Sequence, residues 1–145
     1  MEESLTVSMK EILDLKSVSP RQLSPLVLAY IGDSIYDLVI KTYILDKKGN
    51  MPVNKMNKLA SSLVKAETQS KLIGFIEPVL NETEEAVYKR GRNAKSYTSA
   101  KNATINDYRR ATGFEALMGY LYLSNEFDRM VELIKLALKE SGLAL

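Results

Sequence analysis

Two acids in this chain sit where acids are costly. Asp33 follows Gly32 inside the apolar run Leu28-Ala29-Tyr30-Ile31-Gly32-Asp33-Ser34, and Glu115 lies two residues after Gly113 in Ala111-Thr112-Gly113-Phe114-Glu115-Ala116-Leu117. An ionised carboxylate among buried groups is unfavourable unless a cation, a proton or hydrogen bonds compensate it. The repeated pairing of glycine and acid points to a shared metal site. Glycine inside a helix costs up to about 1 kcal/mol relative to alanine. At Gly32, Gly113 and Gly119 the return is close approach of two backbones. Helices crossing near Gly32 and Gly113 would bring Asp33 and Glu115 within reach of one ion. The competing reading has the glycines serving only tight packing, with the acids on separate surfaces.

The surroundings of the two acids follow from helical spacing. Residues three, four and seven apart share a face, so Tyr30, Asp37 and Lys41 form a narrow polar stripe beside Asp33. Asp37 and Lys41 read first as an ion pair, with Tyr30 and Asp37 as supports behind the site in the sharper reading. Glu115 shares its side with Tyr108, Thr112, Gly119 and Tyr122. Thr112 either holds a water for the ion or bonds back to its own helix. The chain has no histidine and no cysteine, which excludes disulfides, thiolate nucleophiles, Ser-His-Asp triads and His/Cys zinc sites. For a hydrolase, oxygen ligands and a hard cation remain.

The elements that must position these residues are all helical. A short amphipathic helix is expected at 9–16, ended by Ser19-Pro20. Ser24 reads as an N-cap with Pro25 at the first helical position, opening a helix to about Leu45. That helix is apolar nearly all round and is expected to be central and buried. Residues 46–50 read as a turn. Pro52 opens a helix near 52–66, with a further helix at 67–80, continuous with it or not, and perturbed at Pro78. Glu82, Glu84 and Glu85 suit the positive start of another helix, which Gly91 is expected to end. Residues 92–103 read as a loop. Thr104 with Asp107 resembles a capping box, opening a helix to about Ser124. A last helix, 126–141, ends before Gly142.

Length and charge set the remaining bounds. At 145 residues and 46% hydrophobic content the chain fits a single domain, with its core at about 23–140. No apolar run reaches the roughly 18 residues that span a bilayer, and Glu2 and Glu3 do not suit a signal peptide. The expected location is the cytoplasm. The net charge is +2, but the stretch from Lys89 to Arg110 alone carries +6. A flexible basic loop at about 91–103, with Arg90, Arg92, Lys95, Lys101, Arg109 and Arg110, is an electrostatic footprint for a polyanion; the plainer reading is a solvated loop.

Together the two glycine-acid motifs resemble the ribonuclease III catalytic domain, whose signature reads roughly E-x-x-E-F-L-G-D-S, with a later A-D-x-x-E-A-L. Asp33 falls on the family's catalytic aspartate and Glu115 on its metal-binding glutamate. Leu26, Ala29 and Thr112 stand where the family has acids. These departures, with the run from Asp107 to Leu123, resemble the Mini-ribonuclease III branch, which lacks a separate double-stranded-RNA-binding domain. The resemblance implies an all-α fold, one magnesium ion held by Asp33 and Glu115, and a homodimer. It also implies cleavage of double-stranded RNA to 5′ phosphate and 3′ hydroxyl ends, in ribosomal RNA precursor. A non-catalytic RNA-binding module on the same fold, or a protein-interaction domain, is the competing expectation.

Overall fold

The computed structural model describes residues 5–94 and 104–145, and within them the chain is all-α. The helices are α1 (Leu5–Ile12), α2 (Pro25–Lys48), α3 (Val53–Val64), α4 (Ala66–Ile76), α5 (Glu82–Asn93), α6 (Ile105–Leu123) and α7 (Phe127–Ser141). Short 3-10 turns at Pro20–Gln22 and Glu77–Val79 precede α2 and α5. Among the described residues no helix is long and apolar enough to cross a membrane.

Most boundaries follow the expected caps. Ser24 accepts the Val27 amide N–H with Pro25 at the first helical position, Thr104 accepts the Asp107 amide, and Gly142 closes α7 in the left-handed conformation. Asn81 and Glu84 form a reciprocal capping box at the start of α5. Three expectations need correction, and one left open is decided. The first helix lies at Leu5–Ile12 rather than 9–16, and Asp14 follows it with positive φ. α2 continues through the expected turn to Lys48, where Gly49 stops it. Residues 52–80 are two helices, because Lys65 is extended between them. α5 runs through Gly91 to Asn93, so the start of the expected loop is helical; residues 95–103 lie outside the described residues.

The central helix is α6. It packs against α2, α4, α5 and α7, and every residue from Ala111 to Tyr122 except Glu115 is buried. The sequence expectation gave that place to α2, which instead leaves Leu26, Val27, Tyr30 and Leu38 exposed. The small residues Ala111, Gly113, Ala116 and Gly119 explain the difference, since they let neighbours close in on several sides of α6. The core they enclose includes Leu28, Tyr36, Ile40, Ile73, Phe114, Leu117, Met118, Leu121, Met130 and Leu133.

Polar side chains tie the corners. At the end of α3, three successive carbonyls that lack helical partners each accept a side-chain donor. Thr68 Oγ1 donates to Ser62 O at 2.6 Å, Tyr36 Oη to Leu63 O at 2.7 Å, and Gln69 Nε2 to Val64 O at 2.7 Å. At the other end of the bundle Glu84 is only 2% exposed. Arg129 on α7 grips it through Nε and Nη2, both at 2.9 Å, and Nη2 also donates to Val79 O at 3.0 Å. This guanidinium holds the Glu84 carboxyl below its usual range against the opposing effect of burial.

Removing the arginine strands a buried carboxylate. Arg129→Met is expected to cost about 3 kcal/mol in urea unfolding at pH 7. Because the folded pKa of Glu84 is depressed, its contribution is present above the unfolded value of 4.5 and lost as pH falls through the folded value. The gap between wild type and variant should therefore close towards low pH.

Candidate active site

The site begins with a contact between backbones. A side-chain carbon on Gly32 would overlap the Glu115 carbonyl oxygen and come within 2.8 Å of the Gly119 nitrogen; one on Gly119 would overlap the Leu28 carbonyl oxygen. α2 and α6 therefore touch main chain to main chain at Gly32 and Gly119. Gly113, the expected partner, serves another contact. A carbon there would lie 2.7 Å from the Tyr88 ring, and one on Gly91 would lie 2.9 Å from Gly113 Cα. Gly91 and Gly113 thus bring α5 against α6, which is why Gly91 does not end its helix.

Asp33 and Glu115 emerge beside the first of these contacts. The Asp33 carboxyl lies within hydrogen-bonding reach of Glu115. Asp33 is exposed and Glu115 half-buried. Burial, and then the neighbouring Asp33 carboxyl, push the Glu115 carboxyl up to about 8, while the Gln69 amide pulls the other way. Gln69 Nε2 donates to Glu115 Oε2 at 3.3 Å. Behind the pair, Tyr36 stands edge-on to Phe114 with ring centroids 5.0 Å apart. Burial raises its hydroxyl pKa, and the Glu115 charge adds to the shift. Two carboxyl groups are thus held together next to a low-dielectric interior, where a proton on Glu115 offsets the Asp33 charge and a cation would take that proton's place.

Comparison with known proteins places the chain in a family. The model of the ribonuclease III domain matches residues 26–126. A Mini-ribonuclease 3 of Clostridium tetani is 55% identical over 81% of this chain and 78% of its own. A Mini-ribonuclease 3 of Thermoanaerobacter is 42% identical over 96% of this chain and 97% of its own. The chain belongs to the ribonuclease III family, in its Mini-ribonuclease III branch. A crystal structure of a Fusobacterium nucleatum protein, 30% identical, matches with a TM-score of 0.74 over 83% of this chain and 95% of that one. Membership of the ribonuclease III family supports a catalytic nuclease.

The other residues singled out in the sequence are dispersed. Asp37 pairs with Lys41 at 2.9 Å along the helix surface. Tyr30 is 78% exposed on α2. Thr112 Oγ1 donates to Tyr108 O at 3.0 Å, back along its own helix. Of the basic residues, Arg90 and Arg109 are exposed. The Arg92 guanidinium lies 5.7 Å above the Tyr88 ring. Arg110 is half-buried, its terminal nitrogen 3.0 Å from where a side chain on Gly74 would begin, and its charge opposes the burial that raises the Tyr88 pKa. Lys95 and Lys101 lie outside the described residues.

Sequence reasoning missed Gln69. The signal available was weak: Thr68, Gln69 and Ser70 lie in the polar run Glu67-Thr68-Gln69-Ser70-Lys71 that opens α4, yet these three are buried while the flanking charges are exposed. Each binds a neighbour: Thr68 and Gln69 cap α3, and Ser70 Oγ donates to Asp107 Oδ1 at 2.8 Å.

The backbone contact is open to a direct check. Gly32→Ala inserts a carbon where the Glu115 carbonyl already stands and is expected to cost about 3 kcal/mol in urea unfolding. Gly74→Ala in α4 meets only the flexible end of Arg110. It should change stability little, or gain up to about 1 kcal/mol from helix propensity.

Proposed function

We propose that this chain is a magnesium-dependent endoribonuclease that cleaves double-stranded RNA, with large-subunit (23S) ribosomal RNA precursor as its substrate, which would place its work in the cytoplasm. The observation that carries the reading is the meeting of the Asp33 and Glu115 carboxyls across the contact of α2 and α6. Family membership adds the chemistry of a nuclease.

The donor set fits magnesium. This hard cation prefers oxygen, keeps several waters, and is commonly held by one or two carboxylates together with substrate phosphates. Among the described residues no group of three or more acids is assembled, so the two carboxylates suit one ion. When bound, magnesium would polarise a phosphoryl oxygen and make water a stronger nucleophile at neutral pH.

The chain's own groups supply position and charge. Asp33 stands at the solvent side, where a phosphodiester can reach it, and Glu115 lies deeper with one oxygen already engaged by Gln69. Double-stranded RNA presents phosphates and 2′-hydroxyls rather than readable base edges, and the exposed Arg90 and Arg109 suit those phosphates. Lys95 and Lys101 join this reading by charge alone, and Arg92 and Arg110 through what their packing on Tyr88 and Gly74 leaves free. Tyr30, Asp37 and Thr112 would act only as surroundings of the site. The products would carry 5′ phosphate and 3′ hydroxyl ends. A homodimer belongs to the same proposal: two sites related by a two-fold axis can address both strands of a duplex. The exposed apolar group Leu26, Val27 and Tyr30 beside Asp33 supports that arrangement.

The test is cleavage of duplex RNA with and without magnesium. Wild type should cut only with the ion. Asp33→Asn and Glu115→Gln should each lose more than about 100-fold, beyond the 10- to 100-fold typical of residues behind a metal ligand, while still binding the duplex. A wild-type chain that binds duplex without cutting it would instead be a non-catalytic RNA-binding module.

A further inference from the structure

Gln69 is an unusual occupant of its position. It is 2% exposed, on the face of α4 that meets α6. A buried amide must find partners for two N–H groups and one carbonyl oxygen. Its two donors are placed: Nε2 lies 2.7 Å from Val64 O and 3.3 Å from Glu115 Oε2. Its acceptor is not, since Oε1 is buried without a hydrogen-bond partner. Exchanging nitrogen and oxygen gives no relief. The exchange would press the amide oxygen against both the Val64 carbonyl and the Glu115 carboxylate, and would leave the donors without acceptors. The Val64 carbonyl therefore fixes which way the amide faces, and the second N–H is aimed at Glu115.

An apolar side chain of similar volume would avoid the unpartnered Oε1, at the cost of the Val64 cap alone. Capping α3 accounts for only one of the two amide N–H groups, the one on Val64 O; the other is aimed at Glu115 Oε2. Beyond that cap, an oriented donor at this place restrains the Glu115 carboxylate. We infer that Gln69 is a positioning residue for the cation site: the end of α3 orients its amide, and the amide holds Glu115 Oε2 so that the carboxylate stays turned towards Asp33. The inference rests on the reading that Asp33 and Glu115 hold a divalent cation. It gives α3, which carries neither acid, a part in the geometry of the site through the chain Val64, Gln69, Glu115. Outer partners of this kind fix the orientation of metal ligands and typically govern affinity by 10- to 100-fold.

The measurement is a Mn2+ titration of the full chain without RNA, followed by electron paramagnetic resonance of the free ion, with urea unfolding in EDTA run in parallel. Wild type should bind, and Asp33→Asn should not. Gln69→Met, which keeps the volume and removes the donor, should weaken Mn2+ binding about tenfold on protein shown to be folded. The magnesium concentration for half-maximal cleavage should rise in step while KM for duplex RNA stays put. If Gln69→Met does not fold, Gln69→Asn carries the same expectation: its shorter side chain can keep an amide at Val64 but draws back from Glu115. Folded Gln69 variants that bind Mn2+ as wild type does, whatever their stability, would overturn the inference and leave Gln69 as packing at the α3–α4 corner. Equal Mn2+ binding by wild type and Asp33→Asn would instead overturn the cation reading itself, and this inference with it.

Discussion

Helices with ordinary side chains at their contact pack with axes 8–10 Å apart, and at that distance two short acidic side chains on neighbouring helices need not meet. At Gly32 and Gly119 this chain removes the side chains altogether, and the main chains of α2 and α6 come into direct contact. Asp33 is the residue after the first glycine, and Glu115 is four residues, or about one turn, before the second. Their juxtaposition is therefore set by the crossing, and the raised Glu115 pKa shows that a proton or a cation must offset the pair. The free energy that holds the two carboxyl groups together comes from the apolar residues around the crossing, among them Leu28, Tyr36, Phe114 and Leu117, all buried.

The same logic explains how α6 is furnished. A central helix contacting four others would ordinarily be apolar throughout, yet Glu115 interrupts its buried face. Three neighbours accommodate it. Asp33 comes from α2, the Gln69 amide from α4, and the Tyr36 ring stands on Phe114 close enough to feel the Glu115 charge. The corner between α3 and α4 is stiffened in turn by the three capped carbonyls at Ser62, Leu63 and Val64. Two of the capping side chains, those of Tyr36 and Gln69, also face Glu115. Secondary-structure termination and site geometry thus share the same groups.

Much of this was legible in the sequence. A glycine beside an acid in an apolar run marks a place where backbone approach and charge coincide, and this holds at Gly32; in the second run the close approach falls on Gly119 and not on the expected Gly113. What a sequence does not encode locally is the partner of a close approach. Gly113 and Gly119 lie on the same helix, and only the packing of α5 reveals that Gly113 answers Gly91 and Tyr88 while Gly119 answers Leu28. Gly91 misleads for a related reason: glycine after basic residues signals a helix end, but a helix packed tightly on another also demands one. α2 was read as central because hydrophobicity all round a helix usually means burial, whereas Leu26, Val27 and Tyr30 remain exposed. Gln69 was invisible because a lone glutamine in a helix is ordinarily a surface residue, and its importance lies in a contact with a residue 46 positions away.

The distribution of charge around the pair has its own logic. The resemblance to ribonuclease III sets Leu26, Ala29 and Thr112 at positions where that family carries acids. In this fold Leu26 is exposed, Ala29 is buried, and Thr112 is turned back onto Tyr108. None adds negative charge. The group nearest Glu115 from α4 is a neutral amide, not a third carboxylate. Each further carboxylate would have deepened the repulsion that already raises Glu115, and would have demanded a second cation to offset it. Two carboxylates with one neutral donor carry at most two negative charges, which a single divalent ion balances. Fewer acids and a buried amide would then be two sides of one electrostatic solution, in which orientation by hydrogen bonding would take the part of additional ligands.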